Sequence, residues 1–197
     1  DADAGRRWKL LWHPYVNANN PNNGISLPLY QHGWIGLKVA ATPGTLASAG
    51  ERKLFTGTWY DSATNGASEY PLASTVAALS DCVVFTEPGM LSVNDGVYVV
   101  LRCATDPASA TAVGKILLLK CTHAVLQAFA SCSYLGILLT DSEAPSHGNY
   151  DGFSAPDLVQ VGTKHYLIVT PTNKDVYKGC LVFEVSDLTG AALVRNM

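Results

Sequence analysis

Charge is scarce in this chain. Asp, Glu, Lys and Arg make up 15% of its 197 residues, well below the roughly 25% usual for a globular protein. The net charge is −3, and no run of lysines and arginines supplies the basic stripe that nucleic acid requires, so a nucleic-acid partner is not expected. Long apolar runs are also missing. The most apolar stretch, Ile116 to Leu139, is broken by Lys120, His123 and Gln127, and its β-type segments are too short to span a bilayer as one helix, so no membrane role is expected. The chain opens on Asp1-Ala2-Asp3, which is not signal-peptide chemistry. No G-x-S-x-G, no G-x-x-x-x-G-K and no CxxC or Cys/His ligand spacing occurs. A serine nucleophile elbow, a phosphate loop and a zinc site therefore have no motif here, and neither a metal nor a cofactor is expected. Helical periodicity is poor, with room for a single turn between Ala124 and Ala130.

Apolar residues, by contrast, reach 48%, enough for a real core in a chain of this length. Most lie in short β-rich runs. CVVFTEPGMLSV leads through Asn94-Asp95-Gly96 into VYVVLRC, then KILLLKC, then SYLGILL. Asp-Gly between two such runs marks a hairpin, because these residues accept the backbone angles of a tight turn. The four runs read as a meander.

The pattern then returns. FSAPDLVQV leads through Gly162-Thr163-Lys164 into HYLIVTP, a polar loop, GCLVFEVSD and a last apolar piece, ALVR. The two copies align without a gap through their first hairpin. Pro88 falls on Pro156, Val93 on Val161 and Tyr98 on Tyr166, each about 68 positions on, a period within reach of a propeller blade with long loops. A looser copy precedes them: Arg7 to Trp12, then Gly33 to Ala40, then ERKLFT, without a first strand like Thr86-Glu87-Pro88. The fold expected is all-β, a β-propeller of four-stranded antiparallel blades, about three of them. They fill one propeller-type domain over residues 1–197, with approximate blades 7–60, 82–140 and 153–197. A β-sandwich of similar hairpins is the plainer alternative.

The cysteines are Cys82, Cys103, Cys121, Cys132 and Cys180. Cys121 and Cys132 flank the connection between two neighbouring strands, where they face each other as a disulfide or stay buried as thiols. The odd count leaves at least one cysteine without an intrachain partner.

Thr86-Glu87-Pro88 through Gly96-Val97-Tyr98, with Phe153 to Tyr166 as the following blade and Trp34 to Phe55 as an earlier one, resembles the five-bladed propeller glycoside hydrolases. These are the arabinanase and xylosidase type of family 43 and their relatives. The resemblance implies a secreted or periplasmic protein that acts on or binds an oligo- or polysaccharide through inner-strand carboxylates. The chain departs from that pattern. No strand bearing an Asp precedes Arg7, and Ser154-Ala155-Pro156 holds no Glu where the family's general acid is expected. Five blades at ~60 residues each need roughly 300, so a fragment, a ring completed by a partner or an open fold are the readings that fit.

Glycoside hydrolysis by the usual route takes two carboxylates. Glu87 is the first candidate, since Phe85 and Pro88 would shield it from water, which favours a protonated acid. Asp151 is the second. It closes the loop Asp141 to Gly152, where His147 and Tyr150 are candidates to bond or stack on a sugar, although Asp, Asn, Gly and Ser are also ordinary turn residues. His32 and Trp34 flank Gly33 at the start of a strand, and a Trp there offers a sugar a flat apolar face or packs between blades. Three functions follow: a glycoside hydrolase, a non-catalytic carbohydrate-binding propeller, and a partial propeller whose open sheet edges are covered by self-association as a homo-oligomer.

Overall fold

The computed structural model describes residues 8–14, 33–106, 108–109, 111–122, 129, 131–174 and 176–194. Arg7, His32 and most of the helical turn expected between Ala124 and Ala130 lie outside them. The described residues are all-β, with twelve strands and only short helical turns. No helix among them is long and apolar enough to cross a membrane. The chain clusters into two compact units: residues 1–86 with 104–112 and 123–130, and residues 87–103 with 113–122 and 131–197.

The first unit holds β1 (Trp8–Trp12), β2 (Trp34–Ala40) and β3 (Glu51–Thr56), an antiparallel sheet in chain order. β2 pairs Trp34 with Thr56 and Ile35 with Phe55, then slips by a bulge before Gly36. A Cβ at Gly36 would overlap the Glu51 carboxylate and sit 2.6 Å from the Trp12 indole nitrogen, so both side chains would have to shift to admit one. Ile35, Leu37, Leu54 and Phe55 are fully buried. After β3 the chain turns through α1 (Ser62–Asn65) and α2 (Leu72–Thr75), and Tyr70 bridges back to Phe55. Thr58 and Trp59 donate their backbone N–H groups to Cys82 and Val83.

β4 (Cys82–Val93), β5 (Gly96–Thr105), β6 (Lys115–Cys121) and β7 (Cys132–Thr140) make a four-stranded sheet in the order β4-β5-β6-β7. This is the meander expected from the sequence. The turn at Asn94-Asp95 ends on Gly96 at φ 152°. β5 and β6 are buried almost continuously rather than at alternate positions. Alternation marks a strand with one wet face, so continuous burial means that both faces are covered.

β8 (Gly152–Val161), β9 (Lys164–Asn173), β10 (Val176–Tyr177), β11 (Leu181–Asp187) and β12 (Ala192–Leu193) form the third sheet. β9 lies at its centre, paired antiparallel with β8, β10 and β11, while β12 extends the far side. One apolar layer in the second unit gathers Val100, Leu118 and Leu138 with Phe153, Leu167 and Phe183. Burying one such side chain is worth about 1.5–3 kcal/mol, so this layer is a main source of cohesion.

Cys121 and Cys132 pair directly in the β6–β7 register and form a disulfide, with Cα atoms 4.0 Å apart. Cys82 and Cys103 are disulfide-bonded as well, and Cys180 is an exposed free thiol. Of the two states open to Cys121 and Cys132, the direct cross-strand register selects the bridged one.

Candidate functional site

Glu87 lies in β4 with its backbone at φ 52°, a left-handed angle that costs a residue with a Cβ about 1 kcal/mol or more. Ala155, the matching position of the repeat, has φ 46°. Both precede a proline. The β8–β9 register explains the second case. It passes from Ser154 opposite Thr170 to Asp157 opposite Ile168, so Ala155 and Pro156 bulge out of the ladder. The bulge releases the Ala155 N–H from β9, and this group donates to Glu87 Oε2 at 2.8 Å. The Tyr177 hydroxyl donates to Glu87 Oε1 at 3.4 Å. Thus each carboxylate oxygen of the half-buried Glu87 accepts a bond. The approach of β4 to β8 also needs Gly89, whose Cβ would stand 2.6 Å from the Pro156 carbonyl oxygen and 2.7 Å from the Asp157 Cα.

Asp151 is exposed at the entry to β8. Its carboxylate accepts from the Thr172 hydroxyl at 3.2 Å and from the Lys174 N–H at 2.6 Å, which holds Lys174 at φ 49°. Tyr177 connects the two acids. Its backbone pairs with Thr172 in β9, the residue that bonds Asp151, while its hydroxyl reaches Glu87. Both candidate carboxylates therefore meet the same β9–β10 end of the third sheet.

The loop before β8 is a 3-10 segment, Asp141–His147, started by a capping box in which the Thr140 N–H donates to Glu143 Oε2 at 2.8 Å. His147 is half-buried, its ring set edge-on to Phe183 at 5.0 Å and to Phe153 at 6.1 Å. Tyr150 packs against the apolar layer. Asp141 is more tightly held than either. Its carboxylate takes the Arg102 guanidinium as a fork, at 3.2 and 3.1 Å, and the Phe153 N–H at 2.9 Å. Arg102 also donates to the Phe153 carbonyl. Sequence reasoning missed this pair, although Arg102 is the one charge in an otherwise apolar strand, and such a charge needs a partner.

Trp34 belongs to the first unit. Its indole N–H donates to Glu51 Oε1 at 2.8 Å, its ring meets Tyr60 edge-on at 6.0 Å, and the Lys53 ammonium lies 4.5 Å from its centroid. Burial, followed by the charges of Glu51 and Asp61, raises the Tyr60 phenol above its usual range. His32 lies outside the described residues. His13, just after β1, has its pKa lowered from 6.5 to about 4 by burial.

No family model matches the sequence, and no curated protein does either. Solved structures do match in shape. A GH32 β-fructofuranosidase of Bombyx mori superposes over 94% of this chain and 33% of its own, with TM-score 0.51 and 17% identity. A variant of that protein in complex with sucrose gives the same values. An α-L-arabinofuranosidase from Lactobacillus brevis covers 82% of this chain and 44% of its own, with TM-score 0.51 and 11% identity. The chain thus spans a third to less than half of the length of the structures it matches.

Proposed function

We propose that the chain, whose described residues are all-β and superpose on part of two solved glycosidases, is part of a glycoside hydrolase-like propeller that acts on or binds an oligo- or polysaccharide. Glu87 is the residue that carries the reading. A half-buried carboxylate on a strained strand position, with both oxygens fixed by donors, is oriented before any ligand arrives, and preorganised groups are what acid–base and sugar-binding sites require. Asp151, at the same end of the third sheet, is the second carboxylate, in the pairing of acid and base that glycoside hydrolysis uses. His147 and Tyr150 are the imidazole and aromatic groups proposed to line the sugar beside these acids, and Trp34, with His32 beyond the described residues, is proposed as a separate sugar contact of the first unit. The bonded cysteines support an oxidising compartment, secreted or periplasmic.

A second reading is binding without hydrolysis. It is favoured by the side chains themselves: Asp151 already serves as a backbone cap for Lys174, and the bulge of β8 carries Ala155 rather than an acid.

Glu87→Gln separates the two. Glutamine keeps an oxygen to accept the Ala155 N–H, so the thermal midpoint should change little. Turnover of arabino- and fructo-oligosaccharides should fall by about a hundredfold or more if Glu87 moves a proton. Unchanged turnover removes Glu87 from the chemistry. Calorimetric binding with no hydrolysis by the wild type supports the second reading, and a wild type that neither binds nor hydrolyses any of these sugars refutes both.

A further inference from the structure

We propose that the Arg102–Asp141 ion pair is the positioning element of the candidate site: it fixes the entry of β8 and so aims the Ala155 N–H at Glu87. The inference rests on the glycan reading above and extends it to two residues that act through the backbone of β8.

The pair holds one residue by both of its backbone groups. Phe153 donates its N–H to Asp141 Oδ1 at 2.9 Å, and its carbonyl accepts from Arg102 Nη1. The guanidinium and the carboxylate are themselves joined as a fork, at 3.2 and 3.1 Å, a geometry that fixes direction as well as distance. Opposite Phe153 in β9 stands Pro171, which has no N–H to offer the Phe153 carbonyl, so Arg102 supplies the donor. The space around the pair is close-fitting. A Cβ on Gly114 would overlap Asp141 Oδ2 and stand 3.1 Å from Arg102 Nη2, and one on Gly152 would stand 3.2 Å from Asp141 Oδ1. The Asp141 N–H is bonded in turn to the Gly114 carbonyl at 2.8 Å.

Phe153 lies between the two candidate acids' contacts, two residues after Asp151 and two before Ala155. Only Ser154, opposite Thr170, separates the held residue from the bulge at Ala155 and Pro156. With both peptide groups of Phe153 fixed, the bulge has a fixed start, and the N–H it releases meets Glu87 Oε2 at 2.8 Å. Asp141 also begins the Asp141–His147 segment, so one pair sets both the strand that meets Glu87 and the loop that carries His147. The two side chains are only 20% and 18% exposed. An ion pair so enclosed gains little stability over apolar residues of similar size, because both charges give up water. What it adds is direction, and direction is what a preorganised acid needs.

The test compares the full chain with Arg102→Gln, Asp141→Asn and the double variant Cys121→Ser, Cys132→Ser, which loosens the opposite end of the β6–β7 ladder. The first readout needs no substrate. It is the NMR resonance of the Ala155 amide proton, which its bond to a carboxylate shifts downfield, with Glu87→Ala as the reference for the bond removed. Arg102→Gln should carry this resonance most of the way to its Glu87→Ala position. Asp141→Asn keeps an oxygen for the Phe153 N–H and should carry it less far, and it replaces Arg102→Gln if that variant fails to fold. The double serine variant should leave the resonance in place although its thermal midpoint falls. The second readout is turnover of arabino- and fructo-oligosaccharides: kcat should fall about tenfold in Arg102→Gln with KM within about twofold of wild type. A lowered midpoint with the Ala155 resonance and kcat both unmoved makes the pair merely structural and overturns the proposal. A rise in KM alone overturns it too, since the pair would then serve the sugar and not the acid. A wild type that hydrolyses none of these sugars removes the acid role of Glu87, and the Ala155 resonance then decides by itself whether the pair sets the Glu87 contact.

Discussion

Protonating His13 is the perturbation whose effect on stability is drawn most directly from the geometry. The residue follows β1, and a Cβ on Gly33 would stand only 2.7 Å from its Nε2, so the ring is packed closely where the chain enters β2. Burial lowers its pKa from 6.5 to about 4. Between those values the unfolded chain holds a proton that the folded chain refuses. Stability from this group is therefore complete above pH 6.5 and declines as the pH falls towards about 4. The gap corresponds to about 3 kcal/mol, a large part of the 5–15 kcal/mol that holds a typical domain of about this size. Urea unfolding followed by tryptophan fluorescence, in steps from neutral pH to about pH 4, measures the effect. Carboxylates titrate in the same range, so the comparison is with His13→Gln, which is neutral throughout. The difference in stability between wild type and variant should change by about 3 kcal/mol across the window, to the disadvantage of wild type in acid. Two curves that run parallel within the error of extrapolation would show that burial does not hold the imidazole neutral.

Replacing Cys121 and Cys132 together by serine frees a loop whose ends are 11 residues apart and should lower the free energy of unfolding by about 3 kcal/mol by the chain-entropy relation, read as a lower denaturation midpoint. A midpoint within error of wild type would mean that the paired β6–β7 register alone holds the strands. Gly89→Ala should lower stability by about 2 kcal/mol, because the new methyl meets backbone atoms of Pro156 and Asp157 that cannot turn aside. Gly44→Ala, where a Cβ meets nothing within 4 Å, should be close to neutral. Equal thermal midpoints for the two variants would contradict the close approach of β4 and β8.

Much of the β-architecture was legible because its signals are local. The runs from Cys82 to Leu139 alternate or stay apolar over strand lengths, and Asp95-Gly96 and Gly162 punctuate them where the chain turns. The offset of 68 also exposed a match whose meaning was only partly visible. Pro88 and Pro156 aligned, but no sequence signal says that Glu87 and Ala155 sit at positive φ, since glycine is the residue that normally advertises that angle. The bulge is imposed by the register with β9, which is a tertiary fact. Arg102 and Asp141, 39 positions apart, were hidden for a similar reason: a lone charge in an apolar strand announces a need for a partner without naming it. The loop holding His147 and Tyr150 reads from its polar composition as turn-forming or sugar-binding, and no periodicity in it announces the 3-10 segment that sets His147 against Phe153 and Phe183.

The bond between Glu87 and the Ala155 N–H divides a shared task unequally between two copies of one repeat. One copy contributes a side chain and the other only its main chain. A main-chain donor survives every substitution except proline, so position 155 is open to drift. Its exposed Cβ and left-handed backbone would accept glycine, asparagine or aspartate with less strain than alanine. Position 87 has no such latitude, because its acceptor disappears with the side chain. The two aligned positions are thereby under different restraint, one fixed in chemistry and the other fixed only in conformation.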